Sequence, residues 1–298
     1  MSPIKRISPR STDLGDGMLV LRALPTREQR MVGAWCFLDH LGPVDFPPDR
    51  GMHVAAHPHI GLQTFTWMIE GEALHHDSLG NRQIIRPGEV NLMTAGHGIA
   101  HTEDSVTPGS RLHAVQFWIA LPPEAADCPP AFAHHAELPH WQEGPAHFTL
   151  LAGSLGGRHA PTHLHSPLLG LDIRSASATE LTLPLQADFE YAVLPLSGET
   201  SIAGEHFAAN EFAYLGSGRE TLSITLGAGT QLVLIGGEPF AQPVQMWWNF
   251  VAFERDTISL AQADWASGNS RFGPVQSPGE NRLTAPPPPW QHTDGGTE

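Results

Sequence analysis

HPHIGLQTFTWMIEGE at 57–72 and PGEVNLMTAGHGIAHTE at 87–103 are the two stretches on which the reading of this chain turns. Apolar and polar residues recur in short runs between glycines and a proline, the pattern of β-strands joined by tight turns. His57 and His59 are two residues apart, as are His101 and Glu103. On a strand, both members of each pair point to one face. Two such strands meeting inside a small barrel bring three imidazoles and one carboxylate together. That set suits a mid-to-late first-row divalent ion, because imidazole fits Fe, Ni, Cu or Zn and the carboxylate hardens the site. Four ligands on an octahedral ion leave two positions for substrate or O2. Spacing alone leaves a second reading open, in which these are four unrelated polar residues on half-exposed strands. Gly61, Gly88, Gly96 and Gly98 supply the turns and close backbone approaches that a small barrel needs around a buried site.

Similar runs continue outward: HAVQFWIALP (113–122), HFTLLAG (147–153), EYAVLPLSG (190–198), LSITLGAG (222–229) and QLVLIGG (231–237). They predict an all-β sandwich or barrel architecture. Helical periodicity is confined to Arg255–Trp265, with Asp256 as a candidate N-cap and Gly268 as a stop. The Pro-rich stretch Pro286–Pro289 and a polar tail follow, expected to be mobile. The chain also repeats: WMIEGEALHHD (67–77) resembles VLPLSGETSIAG (193–204), and PGEVNLMTAGHGIAH (87–101) resembles ANEFAYLGSGRETLS (209–223). Three parts result: an N-terminal unit over 1–135, a C-terminal unit over 136–250, and a helix with a tail over 251–298. The repeat maps His57 and His59 to Pro184 and Gln186, and His101 and Glu103 to Ser223 and Thr225. The N-terminal unit is therefore expected to hold the working site.

The 298 residues carry a net charge of −15, and Lys5 is the sole lysine. Direct binding to nucleic acid or to an anionic membrane is disfavoured by repulsion. Two cysteines, Cys36 and Cys128, make no disulfide framework, and no segment has signal-peptide or membrane-span character, so a cytoplasmic setting is expected. Eighteen histidines make chance pairs common. His163-Leu164-His165 sits among prolines and reads as loop, and His75-His76 would face opposite sides of a strand.

Taken with VGAWCFLDHLGP (32–43), HHDSLG (75–80) and LHAVQFWIALP (112–122), the opening stretches resemble the pirin family of the cupin superfamily. The likeness is dense over about 15–125 and looser through the second copy. It implies a bicupin of two face-to-face jelly-roll barrels, with an Fe(II)-type ion held by His57, His59, His101 and Glu103. The same ligands would accept Ni, Cu, Mn or Zn. Several family members act as quercetin 2,3-dioxygenases, which implies a small aromatic substrate and O2. Another member is a nuclear, iron-dependent cofactor for transcription factors. Three neighbours depart from the usual pattern: Ile60 and His97 stand where arginine is common, and Gln63 where glutamate is.

In the enzymatic reading Glu103 is both ligand and general base toward a substrate hydroxyl. Phe65 and Trp67 share strand parity with the histidines and are candidates to face an aromatic ligand, with plain barrel core the preferred reading. His97 and Gln116 are candidates for outer hydrogen bonds. The alternative is a non-enzymatic iron or redox sensor acting on a protein partner, with which an acidic surface is compatible. A zinc or nickel isomerase or sugar-binding cupin is a third class.

Overall fold

Strands buried on both faces read as continuous apolar runs rather than as alternation. Trp35–Asp45, Leu62–Glu70 and Arg111–Ala120 are of this kind: nearly every residue in the first part of Trp35–Asp45 and Leu62–Glu70 is buried. A computed structural model describes residues 3–13, 19–276 and 282–292 and explains the pattern. These three strands lie at the centre of a seven-stranded antiparallel sheet, one face lining a barrel and the other pressed against a second barrel. The sheet runs Ala131–His135, Val90–Thr94, Leu62–Glu70, Arg111–Ala120, Trp35–Asp45, Leu19–Leu24, Arg10–Asp13. A four-stranded sheet, His53–His59, Ile99–Ser105, Ala73–Asp77 and Arg82–Ile85 in that order, completes the N-terminal jelly roll.

The C-terminal half repeats the plan. Its four-stranded sheet runs Thr179–Pro184, Thr221–Leu226, Thr200–Ile202, Glu205–Phe207, and an eight-stranded sheet centres on Glu190–Ser197, Thr230–Gly237 and Leu168–Ser175. The two large sheets face each other across a shared core containing Trp35, Phe65 and Phe117 from one side and Leu168, Leu194 and Val233 from the other. Trp35 also donates its Nε1–H to Gly236 O at 3.0 Å. Each aliphatic or Phe side chain buried here contributes about 1.5–3 kcal/mol, so the seam holds the halves together. The expected all-β bicupin, two open two-sheet jelly rolls face to face, is what the chain forms.

The interiors differ. Phe148, Leu183, Tyr191, Phe207, Leu222 and Ile224 fill the C-terminal barrel. Ser223, the counterpart of His101, stands opposite Thr182 with no imidazole nearby in register. The N-terminal barrel keeps polar residues inside and is hollow.

The chain ends cross over. Lys5–Ile7 pairs with Phe212–Gly216, an N-terminal strand on the C-terminal sheet. The hairpin Gln245–Trp247/Phe250–Ala252 returns to the N-terminal barrel, where Phe250 bridges to Ile60 and Arg282 to Ala56. The helix spans Arg255–Ser267 and packs Ile258, Ala261 and Trp265 beside Ile60, Ala100 and Phe250. Its N-cap is Glu254 rather than Asp256, which sits in the first turn where a carboxylate favours the helix dipole. Gly268 ends it at φ 73°, a left-handed cap that glycine adopts without strain. Residues 282–292 are docked rather than loose: Leu283 N–H donates to Ala56 O at 2.8 Å, and Trp247 Nε1–H to Pro286 O at 2.9 Å. The tail expected beyond residue 292 lies outside the described residues. Among the described residues no helix is long and apolar enough to cross a membrane.

Candidate metal centre

Strands His53–His59 and Ile99–Ser105 pair antiparallel with His101 directly opposite His57 and Ile99 opposite His59. Strand parity then turns all three imidazoles into the barrel, as the spacing predicts. All three are buried, and one ligand nitrogen of each lies within 4.8 Å of the other two. Glu103 lines the same cavity from the next inward position, half-buried, but its carboxylate lies outside that nitrogen cluster. A register shift between His101 and Glu103 re-aims it, as bulges beside sites commonly do.

The hydrogen bonds fix the tautomers. His57 Nδ1–H donates to Ala55 O at 2.8 Å and His59 Nδ1–H to Asn249 O at 3.2 Å, since a carbonyl can only accept. Both rings are neutral: burial holds His57 down to about 4, and burial, reinforced by its neighbour His57, holds His59 well below the ordinary range. Each therefore carries a bare lone pair at Nε2. On the far side, His75 Nε2 meets Asp77 Oδ2 at 3.0 Å, and His75 Nδ1 meets His101 Nδ1 at 3.3 Å. With the His75 proton on the carboxylate side, His101 must donate from Nδ1, leaving its own Nε2 bare. Burial keeps His101 neutral as well.

His59 Nε2 and His101 Nε2 thus face each other lone pair to lone pair at 3.1 Å. Such a contact is repulsive unless a cation lies between them. Two imidazole nitrogens in adjacent positions on one ion, each about 2.1 Å from it, stand about 3.0 Å apart. The residues fit a metal.

The centre opens into a cavity of about 640 Å³. Phe37 and Trp118 stack along its wall at 4.0 Å and 12°. Trp118 meets His59 edge to face at 5.2 Å. Trp248 also lines it, held at φ 52°, an unusual conformation for a bulky residue and one that clusters at functional sites. Gln116 lines it too and accepts Thr66 Oγ1–H at 2.8 Å.

Other expected site residues lie elsewhere. Phe65 and Trp67 belong to the core between the barrels, where Trp67 Nε1–H reaches Asp172 Oδ1 at 3.4 Å. Parity with His57 and His59 does not carry over because Gly61, at φ 66°, breaks the chain between strands of different sheets. His97 is exposed on a turn, its carbonyl accepting Arg271 Nε–H at 2.6 Å. Of the departures, Ile60 is buried under Phe250, and Gln63 donates to Thr94 Oγ1 and His163 O behind the sheet. The aromatic wall was missed, although Trp118 is two residues from Gln116 and shares its face.

The profile of the pirin family matches residues 17–119, and that of the pirin C-terminal cupin domain matches 170–273. A pirin-like protein of Caulobacter vibrioides is 37% identical over 88% of this chain and 93% of its own. The chain belongs to the pirin family. A protein of Pseudomonas aeruginosa, provisionally named a quercetin 2,3-dioxygenase, is 55% identical over 97% of this pirin and 91% of its own length. The crystal structure of a quercetin 2,3-dioxygenase from Acinetobacter baumannii superposes with a TM-score of 0.93 at 44% identity, covering 96% of each chain.

Proposed function

We propose that this pirin is a mononuclear metal-dependent dioxygenase that cleaves quercetin-like flavonols with O2, with Fe(II) as the resident ion. The observation that carries the reading is the set of three neutral imidazoles whose bare nitrogens converge at the floor of an aromatic-walled cavity. The names of its Pseudomonas and Acinetobacter relatives support it. A protein that only sensed iron through a partner would need the ion but not a walled chamber of about 640 Å³ beside it.

His57, His59 and His101 would hold the ion, with Glu103 as fourth ligand. The ion supplies Lewis acidity and one-electron chemistry. The remaining steps belong to the chain. Phe37 and Trp118, stacked on each other, form an aromatic wall along which a flat bicyclic ring would lie away from water. Gln116 has its Oε1 engaged by Thr66 and only a 3.4 Å bond from Nε2 to Phe117 O, so the amide N–H is available to a substrate oxygen. Burial raises the Glu103 carboxyl above its ordinary value, which suits it to take the proton of the flavonol 3-hydroxyl.

Metal content and aerobic loss of quercetin absorbance, followed in iron-loaded protein beside His101→Ala, test the proposal. The variant should lose both bound metal and turnover. Undiminished flavonol cleavage by His101→Ala would overturn the mechanism.

A further inference from the structure

Arginine is unevenly used in this chain. All but one of its 16 basic residues are arginine, in a protein of net charge −15, and Arg10, Arg22, Arg27 and Arg30 all line the cavity of the metal centre. Elsewhere several arginines are taken up by carboxylates, Arg6 with Glu211, Arg86 with Glu72, Arg111 with Glu70 and Asp45, Arg271 with Asp264, and others lie over aromatic rings, Arg158 over Trp141 and Arg255 over Trp290. Arg22 is also engaged, forked onto the buried Asp39 at 2.8 and 2.6 Å with its guanidinium 4.4 Å over the Phe37 ring. Arg10, Arg27 and Arg30 have no ion-pair partner among the described residues.

The register shows how these charges relate to the site. One rung of the large sheet runs Arg10, Arg22, Asp39, Gln116, Thr66, each directly opposite the next on neighbouring strands. Arg22 binds Asp39, and Thr66 binds Gln116. The rung therefore leads from the amide beside the metal centre, along the aromatic wall, to an arginine at the mouth. Arg10 standing opposite Arg22 is a like-charge cross-strand pair, which destabilises a sheet unless something negative offsets it. Asp39 is hydrogen-bonded by Arg22 and reaches Arg10 only through space. Arg27 and Arg30 reach the same mouth from the turn that Thr26 and Gln29 close, with Thr26 N–H donating to Gln29 O at 2.8 Å and Gln29 N–H to Thr26 Oγ1 at 3.0 Å. Asp13 is the remaining carboxylate on the cavity besides Asp39 and Glu103.

We propose that Arg10, Arg27 and Arg30 form an oxyanion-recognising rim, and that the substrate is an aromatic enol carrying a carboxylate or sulfate at the end remote from the reacting hydroxyl. The inference rests on the reading of the cavity as a substrate chamber. In it the enol end lies at the histidines and Gln116, the ring along Phe37 and Trp118, and the anionic end at the rim. Guanidinium groups suit this task because their N–H forks match planar and tetrahedral oxyanions alike.

The test is binding to iron-loaded protein under nitrogen, so that no turnover intervenes, read as quenching of tryptophan fluorescence because Trp118 and Trp248 line the cavity. Quercetin 5′-sulfonate should bind about tenfold more tightly than quercetin, with a preference that fades as salt rises. In Arg27→Gln/Arg30→Gln that preference, read against quercetin in the same variant, should fall severalfold. Equal binding of the two flavonols, or a preference the double variant leaves intact, would overturn the rim. Two enol-free probes, 2-naphthoate and naphthalene-2-sulfonate, separate this failure from failure of the proposed activity. If quercetin is neither bound nor cleaved while either probe binds the parent and not the variant, the rim stands and the dioxygenase reading falls. If quercetin is cleaved and neither the sulfonated flavonol nor the probes gain from the arginines, the activity stands and the rim falls.

Discussion

His101 reaches the cavity through a ring whose other nitrogen is managed by His75, and His75 in turn by Asp77. Burial pushes the Asp77 carboxyl up, but hydrogen bonds from His75 and Asn81 outweigh it and hold the group below its ordinary value, hence ionised at neutral pH. An ionised Asp77 is what fixes the His75 proton on its side and the His101 proton at Nδ1. Asp77→Asn removes the charge while keeping the shape, and should cost about 10–100-fold in metal affinity with little change in fold. Metal titration beside a thermal melt checks this; unchanged affinity would mean that His75 orients His101 without Asp77. His57, His59 and His101 were legible from period-2 spacing because each pair lies within one strand. Phe65 and Trp67 are core rather than pocket because Gly61 intervenes and parity restarts on the next strand. His75 could not be read as a partner of His101, since the two meet only through cross-strand pairing, which sets Asp77 opposite His101 and His75 opposite Glu103.

At the scale of elements, the hairpin at 245–252 is part of the metal centre, because Asn249 O is the acceptor that sets the tautomer of His59. Nothing in its sequence announces this, as the hairpin lies nearly two hundred residues from the histidine it serves. Gly61 is where the two meet: it adopts φ 66°, and a Cβ there would strike Val251 O. Gly61→Ala should therefore destabilise the protein by about 1–3 kcal/mol through the left-handed backbone alone, and more through the clash. It should also weaken metal binding as the hairpin moves off His59. Loss of stability with metal affinity intact would show that the hairpin braces the barrel without orienting the ligand. The C-terminal helix was legible from its periodicity and its glycine stop. Its N-cap was not, because Glu254 makes no side-chain cap bond and leaves no signature.

Across the whole molecule, the seam between the barrels contains a buried carboxylate, Asp172, which accepts from Gln231 Nε2–H at 2.8 Å and Trp67 Nε1–H at 3.4 Å. Burial raises it from 3.8 to about 6. Because the folded value lies above the unfolded one, the folded state holds this proton more tightly. The stability it contributes is full below pH about 4 and is lost as pH rises through about 6, a cost of about 3 kcal/mol by pH 8. Asp172→Asn should raise the denaturation midpoint at pH 8 and leave it nearly unchanged at pH 4; a gain of the same size at both would point to packing rather than charge. The two-barrel plan was readable from the repeat, which sets Pro184, Gln186, Ser223 and Thr225 at the counterparts of the four ligand positions. The exchange of ends was not, since the repeat carries no trace of which barrel the first and last strands join. That exchange gives the protein a timetable. Lys5–Ile7 is made long before its partner Phe212–Gly216, and Asn249 is made long after the His59 it completes. A nascent chain carrying all three histidines still lacks the backbone group that orients one of them, so the site reaches its full geometry only once the hairpin at 245–252 has been made.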